Sequence, residues 1–244
     1  MTLAVHHFPT TSPGSPTETA PVLLLHGFTS DADTDYLTTG WVESLHAAGR
    51  AVLALDLPGH GRSPGIASPA EATTSRVLDA IVDAIDAAEV RGPVDVVGYS
   101  LGGRLAWDLP RHSTRVRRLV LGGVSPFEPF SAVDPAALEA ALNGTPATHP
   151  LVGMMAGMIS APGQDTASLA RLIPGLASEP FAPGITAPSL PTLLIAGDAD
   201  SMTEGIEDLA GLLAEGTLRR VPGDHRGALD SPEFRAAAIE FLNS

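Results

Sequence analysis

The sequence predicts an α/β fold: a mostly parallel sheet flanked by helices, with a small helical cap inserted late in the chain. Three observations carry this. Short apolar runs recur along the chain, and most lead into segments with helical spacing. The runs are apolar on both faces, which suits strands buried in a parallel sheet under helices. One stretch, residues 125–191, holds no convincing strand at all.

In order, Leu3–Phe8 is a candidate edge strand, and the Pro/Ser/Thr/Gly-rich stretch Pro9–Pro21 reads as loop. Val22–His26 (VLLLH) and Ala51–Leu57 (AVLALDL) are runs of buried-strand type. Thr73–Ala88 reads as a helix: Val77, Leu78, Ile81, Val82 and Ile85 fall on one face, with Asp79, Asp83 and Asp86 between them. Val94–Tyr99 is the next strand and Leu101–Leu109 a helical start. Val116–Gly122, Thr192–Ala196 and Thr217–Val221 complete the strands. Ser231 and Pro232 suit the N-cap and first position of a closing helix to Leu242. Alternating strands and helices imply right-handed crossovers.

Residues 125–191 break this rhythm. Asp134–Pro135 opens a helix that Gly144 can close, and Asp165 can cap another that should end before Pro174. The stretch is too long for a plain crossover. It reads as a cap over the sheet's C-terminal edge, where ligands bind in open α/β sheets, so the expected division is a core of residues 1–124 and 192–244 and a cap of 125–191. Within the cap, Leu151, Met154, Met155 and Met158 share one helical stripe, a flexible apolar surface able to line a pocket.

Composition removes several functions. The 244-residue chain carries a net charge of −14, and every basic residue is Arg. Such a surface repels phosphate backbones, so nucleic acid is not an expected partner. No run reaches the ~18 apolar residues of a membrane span. The first basic residue is Arg50, so the start lacks the basic region of a secretory signal and a cytoplasmic location is expected. With no cysteine, disulfides, thiolate metal sites and a cysteine nucleophile are excluded. His26 and His60 lack ligand spacing, so neither a metal nor a cofactor is expected, and both read as loop residues. Oligomeric state is not written in the sequence.

The chemistry centres on Gly98-Tyr99-Ser100-Leu101-Gly102. A strand that turns abruptly into a helix exposes a serine hydroxyl at the helix N-terminus. The turn forces a strained backbone at the serine and leaves no room for side chains on either flank.

The segments LLLHGFTS, LDLPGHGRS, VVGYSLGG, LLIAGDAD and VPGDHRG, in this order, resemble the α/β-hydrolase superfamily from about residue 20 to the end, fading in the cap. The resemblance implies a nucleophile–acid–histidine order: Ser100, then Asp200 in GDAD with Asp198 as competitor, then His225. It implies backbone N–H donors at Phe28 and Leu101 for the oxyanion. The elbow GYSLGGR is similar to the menaquinone-pathway synthase, C–C-bond hydrolase and enol-lactonase branches. In the synthase an Arg at the position of Arg104 contacts an anionic substrate; the alternative for Arg104 is a partly exposed arginine paired with an acid. The cap holds only Arg171 as a cation, which disfavours a dianionic ligand. A small, apolar or uncharged ester is therefore the first expected substrate. A lyase or C–C hydrolase with the same triad comes second, and a perhydrolase third. A binding protein that keeps the pocket without catalysis is the reading from another class, disfavoured because every catalytic position is filled.

Overall fold

The apolar runs come together as a single seven-stranded sheet in a computed structural model that describes residues 1–9 and 19–244. The loop expected over Pro9–Pro21 lies for its greater part outside the described residues. The strands are β1 (Ala4–Phe8), β2 (Val22–Leu25), β3 (Val52–Asp56), β4 (Val94–Tyr99), β5 (Val116–Gly122), β6 (Thr192–Gly197) and β7 (Gly216–Val221). Their order is β1-β3-β2-β4-β5-β6-β7, with β1 antiparallel to β3 and every other pair parallel. The sheet is thus mostly parallel, with an antiparallel edge strand. Strands β2 to β6 are buried along nearly their whole length.

Alternation sorts their side chains to two faces. Leu23, Leu25, Leu53 and Leu55 share one apolar cluster with α2 (Thr74–Ala87), α3 (Leu101–Asp108) and α8 (Ile206–Leu212). Val22, Leu24, Val52 and Ala54 share the other with α1 (Trp41–Ala47), α9 (His225–Asp230) and α10 (Pro232–Leu242). Thr73 caps α2 by accepting the Arg76 N–H, and Ser231 caps α10 by accepting that of Phe234. Helices α1, α8 and α9 have no clear signature in the sequence. Each is seven residues or shorter, too short for a period to declare itself.

Between β5 and β6 stand only helices: α4 (Pro135–Leu142), α5 (Pro150–Ile159), α6 (Thr166–Ala177) and the single turn α7 (Pro183–Thr186). Asp134 caps α4 through the Ala137 N–H at 2.7 Å, and Asp165 caps α6 through that of Ser168 at 3.1 Å. Their apolar faces join the first cluster, so Val152, Ile159, Leu169 and Ile173 pack into the same core as the sheet.

Two expectations are corrected here. Helix α6 does not stop before Pro174 but runs through it to Ala177. An internal proline costs about 3 kcal/mol. The stripe Leu169, Leu172, Ile173 and Leu176 is buried on both sides of it, at roughly 1.5–3 kcal/mol per side chain. Gly175 approaches so closely that a Cβ there would lie 2.6 Å from the Ala72 oxygen. Tertiary burial outweighs the local penalty. The methionine stripe is also rotated from its expected face. The buried side of α5 is Val152, Met155, Ala156 and Ile159, while Met158 is half-buried and Met154 is 44% exposed on the outside.

At the N-terminal edge of the sheet, Asp95 of β4 is fully buried. Arg50 pairs with it, and Arg117 adds bonds at 2.9 and 2.6 Å. Arg50 also donates to the carbonyls of Ala20 at 2.8 Å and Leu242 at 3.0 Å, tying the chain's end to the sheet. No helix among the described residues is long and apolar enough to cross a membrane.

Candidate active site

The loops after β2, β6 and β7 and the β4–α3 turn are joined in pairs, Gly27 against Ser100 and His225 against Asp200 and Gly123, with Ser100 between β4 and α3. Its backbone sits at φ 53°, ψ −113°, a combination that residues with a side chain rarely adopt. Crowding enforces it. A Cβ on Gly98 would lie 2.4 Å from the Gly102 oxygen, and one on Gly102 would lie 2.0 Å from the Leu25 oxygen. Backbone bonds then pin the turn: Ser100 N–H to the Gly122 carbonyl at 2.8 Å, and Gly102 N–H to that of His26 at 3.0 Å.

His225 arrives from beyond β7 at the first position of α9, which Asp224 caps by accepting the Gly227 N–H at 2.8 Å. It opens a short helix, His225–Asp230. Its Nδ1 hydrogen-bonds Asp200 Oδ2 at 2.8 Å, which leaves Nε2 for another partner. A Cβ on Gly123 would lie 2.9 Å from His225 Cε1, so the imidazole edge stands one residue from Ser100's backbone partner Gly122. Tyr99 packs its ring 5.2 Å from the imidazole and donates its hydroxyl to the His225 carbonyl. Burial, with the Asp200 carboxylate adding to it, holds the Tyr99 phenol protonated far above its ordinary range. Of the two candidate acids, Asp200 is buried and meets His225, while Asp198 is exposed one turn of chain away. Asp200 Oδ1 also accepts the Met202 N–H at 2.9 Å, which fixes the carboxylate's rotation.

The loop after β2 is held by two neutral histidines. His26 Nε2 accepts the Leu57 N–H at 2.9 Å, so its Nδ1 carries the proton and donates to the Gly27 carbonyl at 2.7 Å. His60 Nε2 accepts the Thr29 N–H at 3.1 Å, and its Nδ1 donates to the Pro58 carbonyl at 2.9 Å. Burial, reinforced by the neighbouring His26, pushes the His60 imidazole down to about 3; burial likewise lowers His26. Both are loop residues, as the sequence suggested. Gly27 N–H is taken by Asp35 Oδ2 at 2.9 Å. The N–H of Phe28 lies between two engaged amides, and no protein acceptor takes it among the described residues. Leu101 opens α3, where an N–H has no acceptor within the helix.

Arg104, one helical turn beyond Ser100, is engaged by the protein itself. Its Nε and Nη2 donate to Glu128 Oε2 at 2.9 and 2.7 Å, and Nη1 to Thr74 Oγ1 at 3.2 Å. Weaker bonds reach the carbonyls of Leu176 and Glu179. The arginine is paired with an acid, as one reading of the sequence had it, but is buried rather than partly exposed. Its guanidinium stands over Phe130, 5.7 Å from the ring centre, and Phe130 packs 5.5 Å from Phe28. Two aromatic rings therefore pack together beside the loop that carries the uncommitted Phe28 amide. Met155 lies in the core and Met158 is half-buried, while Met154 faces away. A polar cavity of about 260 Å³ lies beside this loop, lined by Ser30, Asp31, Asp33, Arg62 and Gln164 and by none of the three triad candidates.

Sequence reasoning missed Glu128, Asp35 and Arg226. Arg226 follows His225 directly and Asp35 sits eight residues after Gly27, but nothing local announces that they meet.

A family model described as the alpha/beta hydrolase family matches residues 22–238. Two curated relatives align over part of the chain. Pimeloyl-[acyl-carrier protein] methyl ester esterase of Neisseria meningitidis is 38% identical over 96 residues, 35% of this chain and 28% of that protein. The 2-hydroxy-6-oxononadienedioate/2-hydroxy-6-oxononatrienedioate hydrolase of Escherichia coli is 33% identical over 124 residues, 45% of this chain and 39% of that protein. In each case the chain spans less than half the length of the relative. Among solved structures, MenH from S. aureus superposes with a TM-score of 0.74 at 19% identity, covering 100% of this chain and 98% of that one, a likeness of fold.

Proposed function

The chain belongs to the alpha/beta hydrolase family, and from that premise we propose that it acts on a small organic carbonyl compound through Ser100, His225 and Asp200. The observation that carries this is the 2.8 Å contact of His225 Nδ1 with the buried Asp200 carboxylate, taken together with a serine held in a strained turn. Asp200 orients the imidazole and stabilises the imidazolium once Nε2 has taken the Ser100 proton. Ser100 Oγ adds to the carbonyl carbon, and the N–H groups of Phe28 and Leu101 stabilise the oxyanion. The tetrahedral species collapses: the bond to the leaving atom breaks, its electron pair stays on that atom, and His225 Nε2 returns the proton there. Water, deprotonated by the same histidine, then releases the acyl group and restores Ser100. Residues 125–191 serve on this reading as the cap over the acyl pocket.

The leaving atom distinguishes two reactions. The sequence put an ester first; the comparisons support a carbon leaving group, or a related lyase, more strongly. The longer of the two alignments is to a hydrolase of an oxo-acid whose name contains no ester, and the fold likeness to MenH agrees with the similarity of the elbow to the lyase branch. We therefore place C–C-bond hydrolysis first. In the related lyase reaction His225 would take a proton from substrate carbon as the adjacent leaving group departs with its electron pair, forming a C=C bond and no acyl-enzyme. Charge supports an uncharged substrate in either case. Glu128 answers Arg104, and Arg171, the insertion's one arginine, donates to the Ile66 carbonyl at 2.9 Å. Aromatic Phe28 and Phe130 beside the site favour an apolar acyl group, and this keeps the neutral ester as the second reading.

The test is fluorophosphonate labelling with turnover of p-nitrophenyl butyrate and of an uncharged vinylogous 1,5-diketone, on wild type and Ser100→Ala. Labelling and diketone cleavage that both vanish in the variant support the first reading. Ester turnover without diketone cleavage shifts the assignment to an esterase. A folded wild type that neither labels nor turns over either compound overturns the serine mechanism.

A further inference from the structure

The loop after β2 and the start of α9 meet at two groups that the mechanism does not use. Asp35 lies in a wide helical turn, Asp33–Leu37, and its side chain is 3% exposed. Its carboxylate collects donors from separate parts of the chain: Oδ2 takes the Gly27 N–H, while Oδ1 takes the Ser30 hydroxyl and Nη1 of Arg226. Arg226 also gives Nη2 to the Thr34 carbonyl at 2.8 Å and Nε to Asp230 Oδ2 at 3.0 Å. One end of this bridge is therefore the residue before Phe28, and the other is the residue after His225. Gly27 itself stands against the nucleophile, since a Cβ there would lie 3.5 Å from Ser100 Cβ.

We infer that Asp35 and Arg226 are positioning residues whose ion pair holds the Phe28 N–H and the His225 imidazole in one frame, so that donor and base address the same carbonyl group. The inference rests on the triad reading above. The bond from Gly27 sets the peptide plane next to Phe28, and the guanidinium sets the first turn of α9. A displacement of about 1 Å at a reacting centre can cost ~10²-fold in rate. Other ties keep α9 folded without the pair. Tyr99 bonds the His225 carbonyl, Asp224 caps the helix, and Trp41 Nε1 donates to the Leu229 carbonyl at 3.4 Å.

The experiment uses the full chain with Arg226→Met, Arg226→Lys and Asp35→Asn. It reads kcat and KM for whichever of p-nitrophenyl butyrate and the vinylogous 1,5-diketone the wild type turns over, inhibition by a trifluoromethyl ketone (which forms an oxyanion on Ser100) and by butyrate, and the melting temperature. Arg226→Met is expected to lower kcat by ~10²-fold with KM within about threefold. Affinity for the ketone should fall in step with kcat, affinity for butyrate should not, and Arg226→Lys should recover part of both. A folded Arg226→Met with unchanged kcat and ketone affinity, whatever its melting temperature, overturns the inference. If wild type neither labels nor reacts, the triad reading fails separately. Hydrogen exchange at residues 26–30 then decides: faster exchange in Arg226→Met supports the coupling, and unchanged exchange refutes it.

Discussion

The two ends of the sheet use the same residue types to opposite effect. At the N-terminal edge, Asp95 sits fully buried between Arg50 and Arg117, and Arg50 is bonded on to Ala20 and Leu242. That charge cluster is closed on itself. At the C-terminal edge, Asp200 holds His225 by one ring nitrogen, and His60 and Asp35 take the amides on either side of Phe28. Each tie there stops one group short: no protein partner takes His225 Nε2, the Phe28 amide or the Ser100 hydroxyl among the described residues. On the proposed function these are the groups that would meet the substrate, and the strain at Ser100 persists because the surrounding bonds over-determine it.

The sharpest way to break this comparison is to separate activity from stability at the two ends. Ser100→Gly should lower turnover on the order of 10⁶-fold. It should also raise stability by roughly 1–3 kcal/mol, because glycine accepts φ 53° without strain. Assay and urea unfolding of the same preparation check both. Asp95→Asn should behave in the opposite sense: leaving Arg50 buried without its anion costs about 3–5 kcal/mol, while kcat stays within twofold. Loss of kcat in a folded Asp95→Asn would mean that the ends are not independent.

The neutral histidines give the C-terminal side a pH signature. His60 titrates at about 3 in the fold, below the ~6.5 of an unfolded chain. The unfolded state therefore binds the proton first, and stability is full above ~6.5 and declines as pH falls toward 3. At pH 5 the loss from His60 is on the order of 2 kcal/mol relative to pH 8. Urea midpoints across that range should show a steeper acid slope for wild type than for His60→Gln; equal slopes would refute a neutral, buried His60.

A further contrast lies within the helical insertion. Met155→Ala should cost ~2–5 kcal/mol, and Met154→Ala, on the outer side of α5, less than about 0.5. Equal costs in thermal unfolding would mean that α5 is rotated from the orientation described.

What the residues alone determined was local and steric. Glycines at 98 and 102 are demanded by a turn that admits no Cβ, the edge strand and the buried strands follow from two-residue alternation, and the N-caps at Asp134, Asp165 and Ser231 act within three residues. Their causes span a few bonds, so the sequence displays them. The resemblance carried by the order of motifs pointed to Ser100 and His225, and to Asp200 with Asp198 as its competitor. Only the tertiary structure decided that Asp200 rather than Asp198 turns inward, that Glu128 answers Arg104, that Asp35 meets Arg226, and that α6 passes through Pro174. Those outcomes depend on which buried charge finds its counter-charge and which face finds a core. The partners come from distant parts of the chain, and no local period records them.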